Sequence, residues 1–84
     1  MQFIFSESAK RDINKLPKKF QSRLRTKLVY WQNTKNPLEF AALLVNYSGA
    51  THRFRVGAYR IIVLLKPNGE LLVLRIRHRK DVYR

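Results

Sequence analysis

The stretch that decides the fold runs from residue 52 to residue 79 and reads HRFRVGAYRIIVLLKPNGELLVLRIRHR. Its first part, His52–Val56, alternates between apolar and basic residues, with Arg53 and Arg55 on the same side, which predicts a strand with one buried face. The next part, Tyr59–Lys66, is apolar almost throughout, as expected of a central strand that is covered on both faces. Three consecutive strands are therefore predicted to form an antiparallel meander.

The third strand of this meander, Leu71–Arg79, follows the Asn68-Gly69 pair, which is the strongest short sequence signal for a β-hairpin. Strict alternation along this strand sorts its side chains onto two faces. The face expected to contact the rest of the fold carries Leu72, Leu74, Ile76 and His78. The opposite, open face is expected to carry Val73, Arg75, Arg77 and Arg79.

The residues before the meander predict a short strand and two helices. Gln2–Phe5 reads as the strand, and Ser6 is placed to cap the N-terminus of a first helix over residues 7–16. Pro17 ends that helix and suits the first turn of a second one. The second helix is indicated by an apolar stripe at helical spacing, made of Phe20, Leu24, Leu28 and Trp31.

Together these elements predict one α+β domain that spans residues 1–84. An N-terminal strand comes first, then a helical hairpin, then the three-stranded antiparallel meander, with the helices packed on one face of the sheet. The segment Leu38–Val45 fits either a short helix or an irregular apolar cover, and the sequence leaves that choice open.

The composition points to a polyanionic partner. Eighteen Lys and Arg residues face five Asp and Glu, a formal net charge of +13 in 84 residues. Nucleic acid is the first expectation, ahead of an anionic membrane surface or an acidic protein. Neither a secretory signal peptide nor an apolar run of transmembrane length is found, and no cysteine is present. We therefore expect a cytoplasmic protein that is not associated with membranes.

Candidate phosphate contacts come from the basic residues of the meander. If Phe54 and Val56 pack against the helices, together with the apolar face of the third strand, the arginines of the first and third strands project to the open face of the sheet. Arg60, on the strand between them, joins this cluster if its side chain lies on the same face. Arginine binds phosphate with two parallel hydrogen bonds and keeps its charge at any working pH. A charged sheet face can also be merely solvated, but the overall charge favours a role in phosphate binding. The residues in question are Arg53, Arg55, Arg60, Arg75, Arg77, Arg79 and Lys80.

Two further residues could take part in acid–base chemistry or base stacking. Tyr83 could stack on a nucleobase or, beside cations, act as a general base, although a terminal tyrosine usually only packs. His78 has the intrinsic acid–base chemistry, but alternation places it away from the arginines. Asp81 is the only acid beside the basic cluster, and no metal-ligand spacing, glycine-rich phosphate loop or nucleophile elbow appears. Any RNA cleavage is therefore expected to need neither metal nor cofactor, with the 2′-OH of the substrate as nucleophile.

The run HRFRVGAYRIIV, with the terminal LRIRHRKDVY, resembles the RelE/ParE toxin superfamily over essentially the whole chain. The resemblance to the RelE branch implies a toxin of a type II toxin–antitoxin module that cuts mRNA in the ribosomal A site and so inhibits translation. It implies three partners: the ribosome, mRNA and a cognate antitoxin, expected to be a small acidic protein. The ParE branch has the same fold but inhibits DNA gyrase without nuclease chemistry, and a remnant that only binds RNA and antitoxin is a third reading.

The resemblance also implies roles for individual residues. Arg53 and Arg55 match positions that contact the mRNA backbone, and Arg60 matches the arginine that stabilises the transition-state phosphate. Arg77, or Arg79 in a shifted alignment, matches a later arginine proposed as general acid or leaving-group stabiliser. Tyr83 matches a terminal tyrosine that stacks or acts as base, and its presence favours the nuclease branch. Some relatives use a histidine near the last strand in their mechanism, so His78 is kept as a candidate catalytic residue. Many RelE-like toxins have a C-terminal helix that the antitoxin displaces, and we expect no such displacement here because the sequence stops one residue after Tyr83.

Overall fold

A computed structural model describes residues 1–82, without the side chain of Val82. Five strands, three α-helices and one 3-10 helix are found within this range. In chain order they are β1 (Phe3–Phe5), α1 (Glu7–Asn14), α2 (Lys18–Gln32), the 3-10 helix Pro37–Phe40, β2 (Ala42–Leu43), β3 (His52–Val56), β4 (Tyr59–Leu65), β5 (Leu71–His78) and α3 (Arg79–Val82).

The strands form one mixed sheet in the order β1-β5-β4-β3-β2. Strands β3, β4 and β5 form the predicted antiparallel meander, and β2 extends it antiparallel to β3. Strand β1 pairs in parallel with β5, which places the chain's first strand beside its last. This parallel pairing needs a long connection from β1 back to the sheet, and the helical hairpin is the first part of that connection. The predicted α+β fold is confirmed.

The two hairpin turns of the meander use glycines with positive φ. Gly57, with a φ of 58°, occupies the first position of the two-residue turn between β3 and β4, where a side chain would be strained. Gly69, with a φ of 87°, ends the turn between β4 and β5, and its N–H donates to the carbonyl of Lys66. Both turns therefore fix the register of the strands that carry the basic residues.

The helices begin close to where the sequence predicts. The hydroxyl of Ser6 accepts a hydrogen bond from Ala9 N at 3.0 Å and so caps α1, as expected. Helix α1 ends at Asn14, two residues before its predicted end. On α2, Leu24 and Trp31 are buried, and Phe20 and Leu28 pack at the border of the core. The predicted stripe is thus the face that α2 turns to the sheet.

Three aromatic rings form the centre of the core between sheet and helices. The Phe54 ring centroid lies 4.6 Å from that of Trp31 and 5.4 Å from that of Phe3, in an edge-on arrangement with the latter. Phe54 has no exposed surface. Because these residues come from β3, α2 and β1, this contact joins the C-terminal meander to the N-terminal hairpin.

A bulge in β5 changes the predicted alternation of that strand. Ile62 of β4 pairs with Arg75, but the next residue, Val63, pairs with Val73, so Leu74 is an extra residue. Leu71 and Val73 are completely buried in the core, whereas Leu72 and Leu74 are only half-buried. The prediction that Leu72 and Leu74 face the helices and Val73 the open side is therefore wrong. The prediction that Ile76 lies in the core is confirmed.

The segment left open by the sequence begins as a short 3-10 helix and continues as a short strand. The 3-10 helix Pro37–Phe40 is capped by Asn36, whose side chain accepts from Leu38 N at 3.2 Å. It leads into the two-residue edge strand β2, where Leu43 is largely exposed. Among residues 1–82, no helix has the length and apolar character needed to cross a membrane.

Candidate functional site

Three arginines lie side by side across the open face of the sheet. Arg60 on β4 is the direct register partner of Arg55 on β3 and of Arg77 on β5. We call Arg55, Arg60 and Arg77 the arginine row. Side chains that are directly opposite on neighbouring strands begin about 4.5–5.5 Å apart at their Cβ atoms. The structure thus brings together one predicted residue from each strand of the meander.

The bulge in β5 is what allows Arg77 to join this row. With Val73 in the core, uninterrupted alternation would also direct Arg77 into the core. The extra residue at Leu74 shifts the alternation of side chains between the two sheet faces by one residue. As a result, Ile76 is buried and Arg77 is on the open face. Like charges directly opposite on adjacent strands repel each other, and an anion lying over the row would relieve that repulsion. This arrangement favours a binding role over a merely solvated face.

Two pockets flank Arg60 on the open side, and Arg60 lines both. The turn pocket has a volume of about 440 Å³ and includes the predicted residues Arg79 and Lys80. The loop pocket has a volume of about 370 Å³ and includes the predicted residue Arg53. The turn pocket is lined by Arg55, Gly57, Ala58, Arg60, Arg79 and Lys80. The loop pocket is lined by Leu44, Tyr47, Arg53, Arg60, Ile62, Arg77 and Asp81.

Arg79 reaches its pocket from a different element than predicted. Strand β5 ends at His78, and Arg79 is the first residue of α3. Its backbone N–H donates to the carbonyl of Ala58 at 2.7 Å, which holds the start of α3 against the β3–β4 turn. The expectation of an open-face strand position for Arg79 is wrong, but Arg79 still lies beside Arg55 and Arg60.

Arg75 is engaged by an acid from a distant part of the chain. Its Nε donates to Asp12 Oδ2 at 2.8 Å, and a second guanidinium nitrogen donates to Oδ1 at 3.2 Å. Asp12 Oδ2 also accepts from the backbone N–H of Ile76 at 2.9 Å. Since β1 ends at Phe5, opposite Val73, this part of β5 is an open edge, and Asp12 satisfies one of its N–H groups. A role of Arg75 in RNA binding stays a prediction, and the ion pair competes with it.

These contacts make Asp12 an acid-sensitive support of the site. Partial burial alone would raise the pKa of Asp12. The hydrogen bonds from Arg75 and Ile76 and the charges of Arg75 and Arg77 together lower the pKa below its ordinary value of 3.8. The hydrogen bond with Asp12 raises the pKa of Arg75 in turn. A carboxyl group whose pKa is lowered by folding stabilises the protein above its unfolded pKa, and this stabilisation is lost as the pH falls through the folded pKa.

We expect Asp12→Ala to lower the free energy of unfolding by about 1–3 kcal/mol at pH 7, because the variant leaves Ile76 N–H and Arg75 without their acceptor. Urea unfolding of both proteins at several pH values measures this difference. The difference should shrink as the pH falls below the ordinary pKa of 3.8, where the wild-type carboxylate becomes protonated. Glu39→Ala removes an exposed acid and is the control. A difference that stays constant down to pH 2 would contradict the assignment.

His78 lies on the helix side of the sheet, as alternation predicts. Its ring meets Tyr59 edge-on at a centroid distance of 5.1 Å, and Tyr59 packs in turn on Phe20 at 4.4 Å. The Nδ1 atom accepts a hydrogen bond from Lys80 N at 3.2 Å. These contacts indicate a structural role for His78, which holds the start of α3 through the hydrogen bond from Lys80 N. A catalytic role for His78 stays a prediction, and Tyr83 lies outside the described residues.

Tyr47 was not among the residues that the sequence pointed to. The loop between β2 and β3 folds over the open face and places Tyr47 in the loop pocket beside Arg53 and Arg77. The positive φ of Asn46, 59°, marks the sharp change of direction just before it. No local sequence pattern indicates the direction in which this loop folds. Among residues 1–82, no group of three or more His, Cys, Asp or Glu residues is placed to hold a metal ion.

The fold is shared with known toxins. A chain of the RelBE2 toxin–antitoxin complex from Mycobacterium tuberculosis is 24% identical, with a TM-score of 0.76, over 93% of this chain and 96% of that one. A chain of the RelB–RelE complex from Methanococcus jannaschii is also 24% identical, with a TM-score of 0.74, over 95% and 94% of the two chains. The isolated RelE toxin of E. coli is 18% identical, with a TM-score of 0.66, over 98% of this chain and 89% of that one.

Sequence comparison gives the family. Searching curated proteins returns no significant match. The family model of the ParE toxin of the type II toxin–antitoxin system parDE matches residues 3–83, nearly the whole chain. Together with the RelE-like fold, this match confirms the superfamily that the meander and the C-terminal sequence predict. The chain belongs to the family of ParE toxins of type II toxin–antitoxin systems.

Proposed function

We propose that this toxin is a ribosome-dependent endoribonuclease that cuts mRNA in the A site and so inhibits translation in the cytoplasm. The observation that carries the proposal is the arginine row, three guanidinium groups from three adjacent strands on one open face. Each of them offers planar, paired hydrogen bonds to phosphate oxygens. Several guanidinium groups on one accessible face are what a phosphate-handling site requires.

The reaction we propose needs no metal. The 2′-OH of one nucleotide attacks the adjacent phosphorus, its proton passes to a general base, and the bond from phosphorus to the 5′-oxygen breaks. The departing 5′-oxygen takes up a proton from the protonated base or from water, and the products are a 2′,3′-cyclic phosphate and a 5′-OH. Arg60, the central member of the row, would stabilise the extra negative charge on the phosphate oxygens. Arg77 would stabilise the leaving 5′-oxygen by charge, because a guanidinium group does not release its proton in proteins.

The backbone on either side of the cleaved bond would be held by the surrounding cations. Arg53 lies in the loop pocket, and Arg55, Arg79 and Lys80 lie in the turn pocket on the other side of Arg60. Tyr83 is the proposed general base or stacking residue, with His78 as the second candidate for acid–base chemistry. Such cations contribute sequence-independent affinity that weakens as the salt concentration rises.

We also propose a small acidic antitoxin as partner. The net charge of +13 calls for an acidic partner that prevents unspecific RNA binding. Two of the structures with this fold are toxin–antitoxin complexes. On the helical side, an apolar groove of about 320 Å³ runs between α1, α2 and β1, with Phe5, Leu28 and Val29 in its wall and Arg25 at its border. A groove of this kind suits the apolar face of an amphipathic helix whose other face is acidic.

Primer extension on mRNA that is being translated tests the nuclease. We expect cuts within A-site codons when the purified protein is added to a translation extract. Tyr83→Phe should lower the cleavage rate by on the order of 10²-fold if the hydroxyl acts as general base. Tyr30→Phe is the control, since Tyr30 is exposed on α2 and contacts Phe40. Unaltered cutting by Tyr83→Phe would remove the role of base from Tyr83.

The second candidate function is inhibition of DNA gyrase without nuclease chemistry. It is favoured by one observation, the match to the family model named for ParE. A supercoiling assay with purified protein and gyrase separates the two functions. Inhibition of supercoiling without A-site cuts would replace the nuclease proposal. A protein that does neither, and whose overexpression leaves growth unchanged, would be a toxin-fold remnant.

A further inference from the structure

The loop pocket differs in chemistry from the rest of the open face. Tyr47 forms one wall and is 49% exposed. The chain is folded back at this point by the hydrogen bond from Leu44 N to Thr51 O at 2.8 Å. Tyr30, another exposed tyrosine, packs edge-on against Phe40, whereas Tyr47 has no ring contact within residues 1–82. One face of an aromatic ring is thus available beside the arginines.

An acid lines the same pocket. Asp81, in the first turn of α3, lies in the pocket with Arg77. In the part of the chain that the structure describes, Asp81 forms no ion pair or hydrogen bond through its carboxylate. A carboxylate repels phosphate and accepts hydrogen bonds from N–H groups. This end of the pocket is therefore suited to an N–H donor rather than to the RNA backbone.

The floor of the pocket is apolar. Ile62 projects to the open face between Arg53 and Arg75, its register partners, yet only 4% of it is exposed. Leu44 adds a second apolar side chain. The volume of about 370 Å³ lies within the range of roughly 300–1,000 Å³ typical of small-ligand pockets. An apolar floor, an aromatic wall, a carboxylate and adjacent arginines match a planar ring that bears N–H groups and is linked to a phosphate.

We propose that the loop pocket binds one unpaired guanine of the RNA, with Tyr47 stacked on the base and Asp81 accepting from its Watson–Crick edge. The inference rests on the proposed action on RNA and adds a specificity to it. Guanine presents N1–H and N2–H side by side, which match the two oxygens of one carboxylate. In adenine and cytosine, the ring nitrogen next to the amino group is a hydrogen-bond acceptor, so it cannot donate to the second carboxylate oxygen. In uracil two carbonyl groups flank the single N–H.

A binding assay without ribosomes tests this pocket. Fluorescently labelled RNA hexamers UUUGUU, UUUAUU, UUUCUU and UUUUUU are titrated with the full-length protein near physiological salt, and affinity is measured by anisotropy. We expect the guanine hexamer to bind tighter by roughly 5- to 150-fold, as expected for one bidentate base contact. Equal affinity for the four hexamers would overturn the proposal.

Variants of Tyr47 and Asp81 separate the contribution of base stacking from that of the hydrogen bonds to the base. Tyr47→Ala should weaken the guanine hexamer by roughly 5- to 150-fold, whereas Tyr47→Phe should keep the affinity. Asp81→Asn should shift the preference from guanine to adenine, because an amide accepts from the amino group of adenine and donates to its N1. Tyr30→Ala and Glu39→Gln are the matched controls and should change nothing. A guanine preference that persists in Asp81→Asn would overturn the role of Asp81.

The two proposals fail in distinguishable ways. A guanine preference in the hexamers without cleavage on the ribosome would contradict the nuclease and leave the pocket assignment standing. Cleavage that occurs equally at A-site codons with and without guanine, together with equal hexamer affinities, would contradict the pocket and leave the nuclease standing.

Discussion

Arg60→Ala is expected to lower the rate of mRNA cleavage by on the order of 10²-fold or more, while the variant still binds ribosomes. Arg60 is the central member of the arginine row and lines the pockets on both of its sides. In the proposed transition state, its guanidinium group would stabilise the negative charge that develops on the phosphate. Single-turnover cleavage of a programmed ribosome measures the effect. The loss should appear in the maximal rate more than in the protein concentration needed for half-saturation.

Two further variants make this result specific. Arg11→Ala removes the same charge from the exposed surface of α1, where the side chain of Arg11 donates a hydrogen bond to Ser8, and should leave the rate unchanged. Arg60→Lys keeps the charge but loses the paired hydrogen bonds, so its rate should lie between wild type and Arg60→Ala. Circular dichroism and thermal unfolding of each variant exclude misfolding as the cause. Equal rates for Arg60→Ala and Arg11→Ala would remove Arg60 from the catalytic site.

Phe54→Ala is expected to lower the free energy of unfolding by about 3–5 kcal/mol. Phe54 is completely buried and contacts the rings of Phe3 and Trp31, so the truncation leaves a cavity where the sheet meets the helices. Small domains are stable by only about 5–15 kcal/mol in total, which makes this loss a large part of the whole. Urea unfolding followed by Trp31 fluorescence measures the difference.

Leu43→Ala is the matched control for this truncation. Leu43 is also an apolar residue on a strand, but 69% of it is exposed on the edge strand β2. Its truncation should change stability by no more than about 0.5 kcal/mol. A loss in Phe54→Ala as small as that in Leu43→Ala would mean that the aromatic contacts are not the centre of the core.

Local patterns were enough to predict most of the elements. Alternation in His52–Val56, the apolar run of β4 and the two glycine turns predict the meander with nearly correct bounds. These signals suffice because each concerns residues that are adjacent in the chain or joined by a short turn. The same patterns left open whether Arg60 shares the open face, and the observed register across the two-residue turn pairs it with Arg55.

The sequence by itself therefore determined the fold class, the two helices and the candidate residues of the site. Only the tertiary structure decided which side chains of β5 face the core. The run Leu71–Leu74 is apolar at every position, so it contains no alternation of apolar and polar residues that would assign its side chains to one face or the other. It also decided that Asp12 holds Arg75 across a separation of 63 residues, and that Tyr47 and Asp81 meet in one pocket. Such contacts depend on how whole elements pack, and packing is set by the balance of burial over the entire domain rather than by any local pattern.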